Sequence, residues 1–418
     1  MKIEELYQHY KQVGLVATDT RNIEKNTIFF ALKGPNFNGN AFAEKALEAG
    51  AAFSIVDEAI YATKPAILLV DNVLETLQKL ANYHRRQLNI PIIGLTGSNG
   101  KTTTKELLHA VLSKKYKTVA TVGNLNNHIG VPLTLLSMNA ETEIGIVEMG
   151  ANHQKEIEFL SQLCAPNFGY ITNFGKAHLE GFGGIEGVVK GKSELYTYLK
   201  NEGGTAFVNP DDSLQLEKTK ALDRIFFEKE LILKKTTPFL TVAYRGSSIK
   251  SQLIGTYNFT NICAAITVGH HFGIAPTAIK EALESYVPSN NRSQIIQKGT
   301  HTIVLDAYNA NPTSMKAAIE SFKTMEGENK VLILGDMFEL GKYGLEEHQK
   351  IATLLQSATF KKVYLIGALF HKITTDALQF KEFSDFKQHL KTQNLSNGTI
   401  LIKGSRGMQL ERVLELLN

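Results

Sequence analysis

Residues 92–103, Ile-Ile-Gly-Leu-Thr-Gly-Ser-Asn-Gly-Lys-Thr-Thr, constrain the fold more than any other segment of the chain. The apolar run from Pro91 to Leu95 reads as a buried strand, and Thr103 to Leu112 reads as a helix. Between them Gly97 and Gly100 let the backbone turn tightly, so that the N–H groups around Ser98 and Asn99 can point at phosphate oxygens. Lys101 supplies a cation for the β- and γ-phosphates, the Thr102 hydroxyl is placed to hold Mg²⁺, and Thr103 opens the helix. The longer pattern, with a glycine four residues before Gly-Lys, is broken because Leu95 stands there; Gly-x-x-Gly-Lys-Thr-Thr is intact. A plain glycine-rich turn would need neither the lysine nor the paired threonines, so the segment is read as an ATP phosphate cradle.

The alternation of strand and helix continues in three blocks. Residues 1–88 hold short strands at Thr27–Leu32, Ala52–Asp57 and Ala66–Val70, a helix over Phe42–Ala49 closed by Gly50, and a long helix over Val73–Leu88. Asn89-Ile90-Pro91 marks a boundary, because the residue before a proline avoids the helical region. In residues 90–288 a strand over Glu143–Met149, a helix over Gln154–Leu163 and a strand over Phe168–Asn173 form a βαβ crossover. Its sheet is therefore mainly parallel, with ligands at the strands' carboxyl ends. A β-rich stretch, 204–254, and helices over Asn261–Phe272 and Pro276–Tyr286 complete the block.

Pro288 to Asn291 is a polar linker, expected to act as a hinge. Residues 292–418 then repeat the alternation, with strands at Thr302–Asp306, Lys330–Leu334, Lys362–Ile366 and Thr399–Lys403. Helices are expected over Pro312–Met325, capped by Asn311, over His348–Leu355 and over Met408–Leu417. The expected fold is α/β in three domains. These are a small N-terminal α/β domain (1–88), a central P-loop ATPase domain with a mainly parallel sheet (90–288), and a C-terminal Rossmann-like domain (292–418).

Composition bounds the function. A length of 418 residues, at roughly 150 per domain, accommodates two or three cores. A net charge of +4 from 45 basic and 41 acidic residues is too balanced to argue for nucleic acid. No apolar run approaches the roughly 18 residues of a membrane span, and the opening Met1-Lys2-Ile3-Glu4-Glu5 is no signal peptide. Cys164 and Cys263 sit in apolar surroundings and are expected to be buried free thiols. A cytoplasmic monomer without membrane insertion is the expectation.

Glu148 falls at the carboxyl end of a strand next to the cradle, a natural place for a Mg²⁺ ligand. His178 follows the next strand, where a ligand and an ordinary histidine are equally compatible with its spacing. Lys190 and Lys192 read as surface lysines on a helix. The loop Asn124-Leu125-Asn126-Asn127 is dense in amides and leans towards polar-ligand recognition, with Asn126 and Asn127 as candidates. Asp306-Ala307-Tyr308-Asn309-Ala310-Asn311 is a comparable loop at a strand end in the third block.

Taken together these segments resemble the Mur ligases, the ATP-dependent amide-forming enzymes of peptidoglycan precursor synthesis. The resemblance covers nearly the whole chain. It is carried by Thr18-Asp-Thr-Arg21 with Phe29-Phe-Ala-Leu-Lys-Gly34, by the cradle at 96–103, and by Gly123-Asn-Leu-Asn-Asn-His-Ile-Gly130. Glu148-Met-Gly-Ala-Asn-His153, Ala177-His-Leu-Glu-Gly-Phe-Gly183, Tyr308-Asn-Ala-Asn-Pro-Thr-Ser-Met315 and Lys403-Gly-Ser-Arg406 follow in the family's order. Tyr308 to Pro312 points to the branch that adds a dipeptide.

The resemblance implies two substrates, UDP-N-acetylmuramoyl-tripeptide and D-alanyl-D-alanine, with ATP and two Mg²⁺ ions. It implies that Lys101 and Thr102 bind the γ-phosphate and the first Mg²⁺, and that Glu148 and His178 hold the second. Lys192 would be carbamylated and serve as a further metal ligand. Asn258 would contact adenine, Arg292 and Asp306 would reach the nucleotide from the third domain, and Thr20 and Arg21 would face the uridine end of the substrate. Asn126, Asn127, Asn309 and Asn311 would contact substrate. Two positions depart from the family: Tyr257 stands where histidine is usual, and Leu305-Asp306 replaces paired aspartates. A plain P-loop ATPase or kinase, and a silent nucleotide-sugar-binding module, stay open at this point.

Overall fold

The computed structural model describes residues 1–356, 359–393, 395 and 397–417. Three main sheets follow one another along the chain, beside two small antiparallel ones. The first has four strands in the order Leu15–Ala17, Thr27–Phe30, Ala51–Val56 and Ile67–Leu69. Every adjacent pair in it is parallel. Helix Val73–Gln87, started by Asn72 accepting from Glu75 N, leads out of this unit and packs against the next.

Arg85 in that helix is buried. Its guanidinium donates to the carbonyls of Cys164 and Ala165 and to Asn167 Oδ1. Five donors in a rigid fork let one side chain satisfy several otherwise bare carbonyls at the boundary. The buried His84 lies nearby, its ring nitrogens facing Tyr7 Oη, Tyr10 Oη and the Met138 carbonyl. Burial lowers its pKa below the usual histidine value.

The central sheet has six strands in the order Asp223–Phe226, Thr205–Val208, Phe168–Ile171, Ile92–Thr96, Ile144–Glu148 and Thr118–Ala120. All five pairings are parallel. Ile92–Thr96 is buried at every position, as an apolar strand covered on both faces must be. It lies between the strand ending at Glu148 and the strand leading to His178, so both expected ligands flank the cradle. A small antiparallel sheet, Ile232–Lys235 with Thr241–Tyr244 and Ser247–Lys250, accounts for the turn-rich stretch.

The third sheet also has six strands, with Gln294–Lys298 antiparallel at one edge and the other pairings parallel. Helix Pro312–Thr324 begins as expected, with Asn311 accepting from Ser314 N. The helix expected over Met408–Leu417 is instead two 3₁₀ segments, Arg406–Met408 and Leu410–Leu416. Gln409 between them sits at φ +50°, and a left-handed residue interrupts an α-helical ladder. The linker is held in an unusual backbone too: Asn290, Asn291 and Ser293 all have positive φ.

Both cysteines are free and buried, and desolvation pushes each thiol up to about 12. Among the described residues no helix is long and apolar enough to cross a membrane.

Candidate active site

Helix Lys101–Leu112 starts two residues earlier than the sequence suggested, with Gly100 at φ +81° immediately before it. Glycine is required at two points of the loop. A Cβ on Gly97, at φ +140°, would lie 2.0 Å from Thr172 Oγ1. One on Gly100 would lie 2.8 Å from Asn261 Oδ1. The neighbouring strand end pins the loop: Ser98 N donates to the Asn173 carbonyl at 3.0 Å and Asn99 N to Asn173 Oδ1 at 3.1 Å. Those two amides therefore brace the cradle, and the first-turn amides from Lys101 onward, which lack intrahelical acceptors, are the ones presented to a phosphate.

Lys101 donates from Nζ to the Gly97 carbonyl at 2.7 Å. Desolvation lowers its pKa, opposed by the charge of Glu148 and reinforced by Arg292. Glu148 is buried at the end of its strand. Its Oε1 accepts from Asn126 Nδ2 at 2.8 Å and from Thr102 Oγ1 at 3.3 Å, while Oε2 is buried without a partner. A buried bare carboxylate oxygen beside a phosphate-loop hydroxyl is chemistry that a hard divalent cation satisfies.

His178 sits at φ +53° just before the short helix Leu179–Phe182, and the carboxylate of Glu339 lies against its Nδ1. That contact lowers the Glu339 pKa. Lys192 departs from the surface position expected of it. It ends helix Ile185–Lys192 with its side chain buried, while Lys190 on the same helix is exposed. Nζ of Lys192 donates to the Ala151 carbonyl at 3.1 Å and lies 5.1 Å from the Phe182 ring centroid. Burial first, and the charge of Lys101 second, drive its pKa well below the ordinary lysine value. Among the described residues no three His, Cys, Asp or Glu side chains form a metal cluster.

A cavity of about 800 Å³ opens over Lys101, Thr102, Glu148 and His178; Lys192 is not among its lining residues and lies behind Ala151, which is. One wall carries Ser98 to Thr103, Asn126, Asn127, Glu148 and His178; the facing wall, from the third sheet's unit, carries Arg292, Asp306, Tyr308, Asn309, Asn311 and Lys403. Asn126 contacts Glu148, whereas Asn127 caps the following helix by accepting from Gly130 N at 2.9 Å. Asn258 opens helix Asn258–His271, donating to the Ile254 carbonyl and accepting from Asn261 Nδ2. Tyr257 Oη meets Ser293 Oγ at 2.7 Å. Arg292 stacks on Tyr308 with 3.7 Å to the ring centroid. Asp306 accepts from Ser293 N and is paired with the buried Lys403. Asn309 Oδ1 accepts from Ala310 N. Asn311 Nδ2 donates to Asn99 Oδ1 at 2.7 Å, tying the third unit to the cradle.

Thr20 and Arg21 are not brought to this cavity. They form a 3₁₀ turn in the first unit, with Arg21 exposed and paired to Asp19. Sequence reasoning passed over Lys105, one helical turn beyond Lys101, which is buried and donates to the Thr121 carbonyl at 2.7 Å. The i, i+4 spacing was the available signal. Lys403 lay within a quoted segment, but its pairing with Asp306 needed the strand register His301–Asp306 against Gly398–Lys403. Nothing local marked Glu339.

A phosphate loop, a half-satisfied carboxylate one strand away and a second α/β unit facing them define a nucleotide-dependent enzyme whose cavity is shared between units. Comparison with known proteins narrows this class. The Mur ligase middle domain matches residues 95–269, and the Mur ligase glutamate ligase domain matches residues 291–406. UDP-N-acetylmuramoyl-tripeptide–D-alanyl-D-alanine ligase of Bacillus subtilis is 36% identical, over 96% of this chain and 92% of that protein. The enzyme of that name from Escherichia coli is 33% identical, over 96% and 93%. A crystal structure of MurF from Acinetobacter baumannii superposes with a TM-score of 0.84 at 30% identity, covering 99% of this chain and 97% of that one. MurF from Thermotoga maritima in complex with ADP gives 0.84 at 28% identity, covering 96% of each. The chain belongs to the Mur ligase family of ATP-dependent ligases.

Proposed function

We propose that this chain joins D-alanyl-D-alanine to UDP-N-acetylmuramoyl-tripeptide at the expense of ATP, in peptidoglycan precursor synthesis. Full-length similarity to ligases of that name carries the reading. The cradle, the facing wall and the cavity between them suit a reaction of three substrates.

The tripeptide's terminal carboxylate attacks the γ-phosphorus, forming a C–O–P linkage as the bond to the β-phosphate oxygen breaks and ADP leaves. The dipeptide's neutral amine then attacks the acyl carbon, forming the amide as inorganic phosphate departs, and the amine's proton passes to solvent or phosphate. Carboxylate and triphosphate repel: one pair of unit charges at 4 Å costs about 1 kcal/mol in water and about 4 at an effective dielectric of 20. Lys101, rooted in the loop, offsets part of that repulsion. Mg²⁺, where bound, supplies further charge compensation and orients phosphate oxygens. Thr102 and Glu148 would hold one ion and Glu148 with His178 the other. A carbamate on Lys192 would add the oxygens that the histidine and one carboxylate lack.

Lys192 suits that modification in one respect, since carbamylation needs a neutral amine and burial holds this one below its ordinary pKa. The first unit (1–88) would grip the UDP end at Thr20 and Arg21, the central unit (90–288) would carry ATP, and the third (292–418) would bind the dipeptide and exclude water from the acyl phosphate. Asn258, Arg292 and Asp306 would serve the nucleotide, and Asn126, Asn127, Asn309 and Asn311 the substrates. The chain would act as a monomer. Reduced cysteines suit the cytoplasm.

The deciding measurement is product mass from UDP-N-acetylmuramoyl-tripeptide, D-alanyl-D-alanine and MgATP, with ADP counted in parallel. ADP release without the dipeptide, and no mass gain with it, would return the chain to the plain ATPases.

A further inference from the structure

Glu339 has no role in the assignments above, yet it joins the third unit to the central one beside the cavity. It lies in the turn after strand Val331–Gly335 of the third unit, at φ +60°. Its backbone carbonyl accepts from Glu180 N at 3.1 Å, and its carboxylate lies against Nδ1 of His178. Gly341, at φ +52°, lets the turn approach closely, since a Cβ there would come within 3.1 Å of the Glu180 side chain. His178 is itself in the left-handed region, so its ring direction is not fixed by an ordinary helical rotamer. Nδ1 of His178 is buried and has no other partner among the described residues, so this carboxylate is the group placed to engage it; an imidazole so engaged has Nε2 left, and such a pairing sets ring orientation and tautomer.

We propose that Glu339 is a positioning residue. The third unit contributes its carboxylate to hold the His178 ring with Nε2 turned to the cation side of the cavity, and does so only while the two units are docked. This rests on His178 as a cation ligand. It makes docking and completion of the cation site one event rather than two. Other docking contacts exist that leave His178 alone: Lys176 Nζ pairs with Glu347 at 2.7 Å, and Lys176 N donates to Thr313 Oγ1 at 2.9 Å. They provide the control.

The test uses the full chain with a non-hydrolysable ATP analogue and Mn²⁺ as the probe, counting bound ions by electron paramagnetic resonance. Glu339→Gln is expected to weaken the His178-dependent Mn²⁺ by roughly 10- to 100-fold, the range for losing a carboxylate behind a ligating histidine. Nucleotide affinity should stay within about twofold, Glu339→Asp should recover part of the loss, and Glu339→Gln should add nothing in a His178→Ala background. Nitrogen-15 signals of the His178 ring should move from one tautomer to a mixture in Glu339→Gln. Unchanged Mn²⁺ affinity in Glu339→Gln, with loss in His178→Ala, overturns the proposal and leaves the ligand reading standing. No loss in His178→Ala overturns both. Equal loss in Glu347→Gln assigns the effect to docking in general and also overturns it.

Discussion

Gly97→Ala tests whether the cradle's shape is dictated by the strand beside it. The new Cβ would lie 2.0 Å from Thr172 Oγ1 and 2.9 Å from Thr172 N, at a backbone φ of +140°. A non-glycine residue in that region costs about 1–3 kcal/mol, and the overlap adds about 1–3 kcal/mol. The sum, about 2–6 kcal/mol, is a large part of the roughly 5–15 kcal/mol that stabilises a domain. Urea unfolding followed by circular dichroism, with calorimetric titration of ADP, reads both consequences. Thr172→Ala alone loses the Oγ1 donation to the Asn99 carbonyl, worth about 1 kcal/mol. The double variant should be more stable than the two single effects added together by about 1–2 kcal/mol, because the hydroxyl that collides is gone. The backbone contact to Thr172 N and the φ penalty remain, so recovery is partial. A Gly97→Ala protein within about 0.5 kcal/mol of the parent, or strictly additive variants, would refute the reasoning.

Lys192→Ala should abolish ligation and recover part of it with acetate, whereas Lys190→Ala, on the exposed side of the same helix, should stay within a few fold; the reverse pattern refutes the carbamate assignment. His84 carries a pH dependence. Burial lowers its pKa in the folded chain, so below the unfolded value of about 6.5 the unfolded state binds the extra proton. Stability should therefore fall as pH drops from about 6.5 towards the folded pKa, and His84→Phe should flatten that part of the urea-midpoint profile. The linker at 288–291 should act as a hinge: small-angle scattering should give a smaller radius of gyration with ATP analogue and UDP-substrate bound, and an unchanged profile counts against it.

The sequence made the cradle legible because its chemistry is local. Gly97, Gly100, Lys101 and Thr102 are consecutive or nearly so, and strand and helix on each side have opposite periodicities. Parallel pairing was legible through the crossover between 143 and 173. What escaped was what depends on distant partners. Lys192 has the local spacing of a solvated lysine, and only its packing against Ala151 and Phe182 buries it. Glu339 meets His178 from far along the chain, through the fold rather than any motif. The last helix failed because nothing in Met408 to Leu417 announces that Gln409 will adopt a positive φ.

The amide pair joining the cradle to the third unit has a chemical lifetime as well as a geometry. Asparagine ages to aspartate chiefly when the nitrogen of the next residue attacks its side-chain carbonyl and closes a five-membered ring. Asn311 is followed by Pro312, whose nitrogen carries no hydrogen and is blocked from that route. Asn99 is followed by Gly100, the least hindered of all successors. Its defence is conformational: Gly100 is held at φ +81° against Asn261, and the Asn99 side-chain oxygen is occupied by Asn311. Undocking removes that second restraint. Conversion there would set a negative charge beside the site for a triphosphate, so a preparation stored with its units apart would lose affinity for nucleotide from the Asn99 side of the pair.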